Sequence, residues 1–177
     1  MTRFRLTLSY DEDSGHLDPF GDFFVEGGGG MFRLHSFRKF DTHFTHPNEL
    51  LCANCQNYWG DHPDEPDEDT QCTDSTFNPG PGFWLSHYEH GLRHWSVQGT
   101  VHYPDMQWDG VRTAGFLEVV ASTEQDDTDP YEYWNTLTPD EQLEAAKSTM
   151  EEYTDWINGN VYGYQLEDLG VCDMGYD

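Results

Sequence analysis

The chain has 177 residues and carries 34 Asp and Glu against 8 Lys and Arg, a formal net charge of −26. Such a surplus excludes a conventional nucleic-acid binder, which needs Lys and Arg to displace phosphate counterions, and it disfavours anionic membranes for the same reason. The length fits one domain over residues 1–177, and 11 Phe, 10 Tyr and 6 Trp separate the chain from disordered acidic segments, which are poor in aromatics.

In chain order, Phe4, Leu6, Leu8 and Tyr10 alternate with polar residues, the period-2 pattern of a strand with one buried face. The start at Met1 runs into this segment without an apolar secretory core, and no stretch approaches the roughly 18 apolar residues of a membrane span. Both points predict a cytoplasmic location. Gly27 to Gly30 form a flexible turn; they lack the Lys-Ser/Thr of a phosphate loop and open no helix. Residues 31–37 read as extended. Leu50, Leu51, Cys55 and Tyr58 have spacings compatible with a short helix after Pro47, and residues 61–74 form an exposed acidic loop.

Residues 83–89, 96–103 and 114–122 read as strands from their aromatic and β-branched content, with turns between them, and are expected to form a meander. The plainest helix runs over 139–158. Thr138 is its N-cap, Pro139 suits the first position, and Glu141 completes a capping box. Leu143, Ala146, Met150, Tyr153 and Ile157 form one apolar stripe, and Gly159 stops the helix. An extended segment over 161–167 follows. The order predicts an α+β fold, an antiparallel sheet of about five to six strands with the long C-terminal helix packed on one face. Gly110 and Gly159 are expected at positive φ, and Tyr153, Trp156 and Tyr162 are expected to link helix and sheet.

Cys52-x2-Cys55, with His62 and Cys72 downstream and His43-x2-His46 upstream, is the best metal candidate. Zinc takes about four N/S ligands in a tetrahedron, and a Cys-x2-Cys hook is the usual first half of such a site. Cys52, Cys55, His62 and Cys72 are therefore the candidate ligands of a structural zinc. The competing reading is that the cysteines are small fillers of a short helix. His87, His90, His94 and His102 crowd one stretch and, with Glu89 and Asp109, could form a hydrolytic or metal centre. Strand alternation opposes this, because His87 and Glu89 share one face while Tyr88 and His90 share the other. No nucleophile elbow or phosphate-transfer set is present, so no catalytic residue is assigned and the chain reads as a non-enzyme.

Three segments carry a resemblance: Trp84 to Gly91, Trp108-Asp109-Gly110-Val111 with Ala114 to Leu117, and Met150 to Tyr164. Together they resemble a widespread group of uncharacterised tailed-phage and prophage proteins. Members of that group carry a Tyr/acid/His/Gly turn, a Trp-Asp-Ser-Gly run leading into a Gly-Phe strand, and a helix ending in Gly-Asp-Val-Tyr-Gly. The likeness covers chiefly residues 84–166. Trp108-Asp109-Gly110 lacks the serine, and no Cys-Pro precedes it. The resemblance implies a viral or mobile-element origin and a shared fold, and no activity.

Duplex DNA displays one charge per roughly 1.7 Å of axis, and a small domain this acidic can present carboxylates to the positively charged groove of a nucleic-acid-handling enzyme. The expected function is inhibition of a host nucleic-acid-targeting defence system, of restriction or CRISPR type, by charge mimicry. The expected partner is a basic nucleic-acid-binding host protein or complex. The candidate contacts are Asp64, Glu65, Asp67, Glu68, Asp69, Asp126, Asp127, Asp129, Glu144, Glu151, Glu152 and Asp155. Two alternatives stand beside it: adaptation to a high-salt host, in which the charge serves solubility alone, and a small zinc-dependent enzyme.

Overall fold

The computed structural model describes residues 2–10, 18–20, 31–62, 77–120 and 134–171. Among these residues six strands form: β1 Thr2–Tyr10, β2 Phe32–Ser36, β3 Gly82–His90, β4 Leu92–Val97, β5 Gly110–Val119 and β6 Tyr162–Val171. The fold is α+β with antiparallel pairing, but the strands divide into two sheets. One is four-stranded with order β2-β5-β3-β4, and the other is a ribbon of β1 with β6. The expected single sheet is thereby corrected.

Period-2 sequence alone says which residues share a strand face. In the inner strands, however, consecutive residues are buried: Leu85, Ser86 and His87 on β3, and Ala114, Gly115, Phe116 and Leu117 on β5. Both faces of the four-stranded sheet are therefore covered. On one face Phe32, Leu34, Leu85, Trp95, Leu117 and Val119 meet Ala146, Met150 and Tyr153 of the long helix Pro139–Ile157. Trp134 closes the end of this core edge-on to Phe32 and Phe83. On the other face Trp84 and Phe116, cross-strand partners, lie under Trp59 and Phe77.

The helix forms as its local signals dictate. Thr138 Oγ1 accepts from the Glu141 N–H, the Glu141 carboxylate accepts from the Thr138 N–H at 2.8 Å, and Gly159 leaves the helix at φ +70°. Its position is fixed by the sheet edge. β4 has no strand on its outer side, and edge N–H and C=O groups left bare are costly or sticky. Thr154 and Asn158, one turn apart, cover them. Thr154 Oγ1 accepts from the Trp95 N–H at 3.0 Å, while Asn158 Oδ1 accepts from the Arg93 N–H at 3.0 Å and its Nδ2 donates to the Arg93 carbonyl.

Several expectations are corrected. β5 pairs with β3 on the side away from β4, so the three central strands are not a meander, because the long return through Val101 and Trp108 carries the chain past β4 to the other side of β3. The strand expected over 96–103 is Leu92–Val97, followed by a turn at Gly99. β1 has no buried face: Phe4, Leu6 and Leu8 are 60–66% exposed, because β1 pairs with β6 alone and no described element lies over the ribbon. Gly110 has φ −128°, not positive φ; a Cβ there would lie 2.9 Å from the Met106 carbonyl oxygen of the one-turn helix Met106–Asp109, so the position favours glycine by close approach of the backbone. Tyr153 and Trp156 stack at 5.7 Å beneath the helix, whereas Tyr162 is half exposed. No helix among the described residues is long and apolar enough to cross a membrane.

Replacing Thr154 by Val keeps the shape and leaves the Trp95 N–H and carbonyl without the hydroxyl that meets them. Thr154→Val is expected to lower stability by about 1–3 kcal/mol, read as a shift of the urea midpoint with unchanged m-value. Thr149→Val, whose hydroxyl bonds only within the helix, is expected to shift it by less than half as much.

Candidate metal centre

The segment between β2 and β3 was expected to hold a short helix after Pro47. It holds a single 3-10 turn, Pro47–Glu49, then a tight hairpin, then a second 3-10 turn, Trp59–Asp61. Leu51 bridges Tyr58, the Trp59 N–H donates to the Leu50 carbonyl at 2.8 Å, and the Cys52 N–H donates to the Asn57 carbonyl at 2.8 Å. The Gln56 N–H closes the loop on the Cys52 carbonyl at 2.9 Å. Gln56 itself sits at φ +62°, alone in that region among the described non-glycine residues. Such a conformation costs on the order of 1 kcal/mol without glycine and persists only where its surroundings over-determine it. Here three backbone hydrogen bonds do so, and the result is that Cys52 and Cys55 turn their thiols to the same side.

His62, at the exit of the second 3-10 turn, joins them. The donor atoms of Cys52, Cys55 and His62 all lie within 4.8 Å of one another. Cys52 is fully buried, Cys55 and His62 partly so. Burial alone would push the Cys52 thiol up, but N–H groups of Cys55, Asn78 and Asn54, together with the Cys55 thiol, bring it down to about 6. A thiolate at this position is thus stabilised by the backbone. The same segment reaches the 77–80 strand approach through the Ala53 N–H, which donates to the Asn78 carbonyl at 2.7 Å. Trp59 stacks on Phe77 at 5.3 Å and meets Phe37 and Trp84 edge-on, while the His62 ring meets Phe77. The cysteine hairpin is therefore the covering layer of the second sheet face.

Of the four ligands expected from sequence, three are brought together, and Cys72 lies outside the described residues. The upstream histidines are elsewhere. His43 Nε2 pairs with Asp18 at 2.8 Å, and His46 accepts from the Asn48 N–H as the cap of the first 3-10 turn.

The crowded histidines do not converge. His87 is buried edge-on against Trp95, ring centres 4.9 Å apart, and burial, followed by the Arg38 guanidinium, pushes it down to about 4. His90 is exposed and bonds Asp109 at 2.9 Å. His94 meets the Tyr103 hydroxyl, which stacks on Tyr88 at 4.7 Å, and His102 lines an open groove with Ser86, Met106 and Arg112. Trp108, in the one-turn helix Met106–Asp109, is 79% exposed.

Sequence reasoning missed one cluster. The Tyr153 hydroxyl donates to Asp41 at 2.7 Å, Asp41 accepts the His43 N–H, and His43 pairs with buried Asp18, with Phe20 packed edge-on against His43 and Tyr153. Burial, then Asp41, holds the Tyr153 phenol well above its ordinary value. A Tyr in the middle of an apolar stripe signals that its hydroxyl has a partner to find; Asp18, in an acidic stretch, and Asp41, beside Arg38 and Lys39, give no such signal.

Among the expected contact acids, Glu144, Glu151, Glu152 and Asp155 are exposed on the helix side turned away from Ala146, Met150 and Tyr153. Asp64, Glu65, Asp67, Glu68, Asp69, Asp126, Asp127 and Asp129 lie outside the described residues. Comparison with protein-family models, curated proteins and solved structures gives no match.

The buried neutral His87 makes stability pH-dependent. Its folded value is depressed, so between about 6.5 and 4 the unfolded chain binds the extra proton and stability falls as pH falls. About 2 kcal/mol is expected to be lost between roughly pH 7 and pH 5 from this group. Urea titrations at both pH values test this: His87→Phe, which keeps the ring against Trp95, is expected to remove that portion of the slope.

Proposed function

We propose that this chain is an acidic binding protein of phage or prophage origin that inhibits a host nucleic-acid-targeting defence complex by occupying its basic groove. The observation that carries this reading is the outer side of the long helix. Asp140, Glu144, Glu151 and Asp155 fall along one stripe, with Glu152 at its flank, all exposed. At about 1.5 Å rise per residue the stripe spans roughly 22 Å, or one carboxylate per about 6 Å.

That density is about half of one DNA strand, which presents a charge per roughly 3.4 Å, so the helix supplies a line within a larger field. Five of the eight Lys and Arg side chains are held in ion pairs, and only one of these pairs lies on the stripe. Arg5 pairs with Glu167, Arg33 with Glu118, Arg38 and Arg93 with Glu89, and Lys147 with Glu144 at 2.7 Å. Glu144 is thus partly neutralised, and Glu151, Glu152 and Asp155 are the helix acids best placed to meet a partner. A field of this kind raises the association rate with a basic groove and does so in a salt-dependent way.

Cleavage assays with a restriction endonuclease and an RNA-guided nuclease, run from about 0.05 to 0.5 M salt, test the proposal. Inhibition that weakens steeply with salt is expected, and the triple variant Glu151→Lys, Glu152→Lys, Asp155→Lys is expected to weaken it at least about tenfold, or about 1.4 kcal/mol. Unchanged inhibition by a folded triple variant would overturn the reading. Loss of structure below about 1 M salt would instead assign the charge to adaptation to a saline host.

A further inference from the structure

We propose that Cys52, Cys55 and His62 bind one zinc ion, and that this ion clasps the aromatic layer on the sheet face opposite the long helix.

The chemistry of the donor set selects the metal. Two thiols and an imidazole are soft to borderline ligands, suited to zinc and poorly suited to calcium or magnesium, which take oxygen. The geometry is close to closure. With Zn–S near 2.3 Å and Zn–N near 2.0 Å, tetrahedral ligand atoms stand about 3.5–3.8 Å apart. The three donors lie within 4.8 Å of one another, so side-chain rotations of about 1 Å complete the triangle without moving the backbone. The backbone is already shaped for it. The positive φ at Gln56, directly after Cys55, belongs to the tight turn that brings the two thiols to one side.

A dithiol redox pair is the alternative for Cys-x2-Cys, since Cys55 is partly exposed beside buried Cys52. The imidazole of His62 within 4.8 Å of both thiols gives the cluster the three N/S donors that a metal takes and a bare dithiol lacks. The ion would join the hairpin Leu50–Trp59 to the exit of the second 3-10 turn. These are the stretches that place Trp59 against Phe37, Phe77 and Trp84.

The test uses the full chain, expressed with zinc in the medium and purified without chelator. Elemental analysis is expected to give about one zinc per chain. Replacement by cobalt is expected to give thiolate-to-metal charge-transfer absorption and the intense d–d bands of a tetrahedral site. Chelator is expected to red-shift the tryptophan emission and lower Tm. Cys52→Ser is expected to lose the metal; because that variant alters a buried position, His62→Ala and His62→Cys carry the decisive comparison. The alanine is expected to weaken zinc binding at least tenfold, and the cysteine to restore it with a stronger charge-transfer band. Zinc below about one tenth per chain, a Cys52–Cys55 disulfide in the freshly purified protein, or full retention of zinc and an unchanged cobalt spectrum in His62→Ala would each overturn the proposal.

Discussion

Strands β3 and β5 are buried on both faces, and the rest of the structure follows from that constraint. A sheet with two apolar faces needs two covers, and a chain with 34 acids has limited apolar material with which to make them. The first cover is a conventional amphipathic helix. The second is a short, irregular segment in which Trp59, Phe77 and Phe37 replace the length of a helix with the area of aromatic rings. Rings bury much surface per residue, but a loop that carries them must be held in place by something other than its own repeating hydrogen bonds. The tight hairpin and its cysteines sit where that need arises.

The helix shows how local and tertiary signals agree when a segment is legible. Thr138, Pro139, Glu141 and Gly159 mark its ends and the stripe Ala146, Met150, Tyr153 its buried side, all readable from spacing. What spacing does not reveal is that Thr154 and Asn158 serve the sheet. Their partners, Trp95 and Arg93, lie about 60 positions away in sequence, and polar residues in a helix ordinarily point to water. The same gap between local and distant information explains the errors. Alternation in β1 correctly groups Phe4, Leu6 and Leu8, yet cannot say whether another layer lies over them. Leu51, Cys55 and Tyr58 have helical spacing, and a hairpin with a four-residue turn returns the chain with much the same intervals.

The cysteine centre was legible for a different reason. Cys-x2-Cys is a spacing that backbone geometry can close into one side of a ligand cage, so the pair identifies itself without long-range knowledge. His62 follows because the chain must turn only once more to return. His43 and His46 have equal claim by composition and are excluded by the fold, one by pairing with Asp18 and the other by capping a turn. The turn conformation at Gln56 left no trace in sequence, since glycine or asparagine is the usual marker of positive φ.

Charge and metal are linked more closely than their separation along the chain suggests. A net charge of −26 repels itself, and folding concentrates that repulsion into a smaller volume. Arg5, Arg33, Arg38, Arg93 and Lys147 offset it locally in exposed or half-exposed ion pairs, which are individually weak and screened by salt. The zinc ion proposed for the covering layer would act differently. It would balance the charge of two thiolates through bonds that modest salt leaves unaffected, and the negative field of the surrounding carboxylates would favour its approach. On the proposed reading, the acidity that would direct the outer surface toward a basic partner would therefore also favour an ion in the covering layer, so that stability and recognition would draw on one electrostatic field.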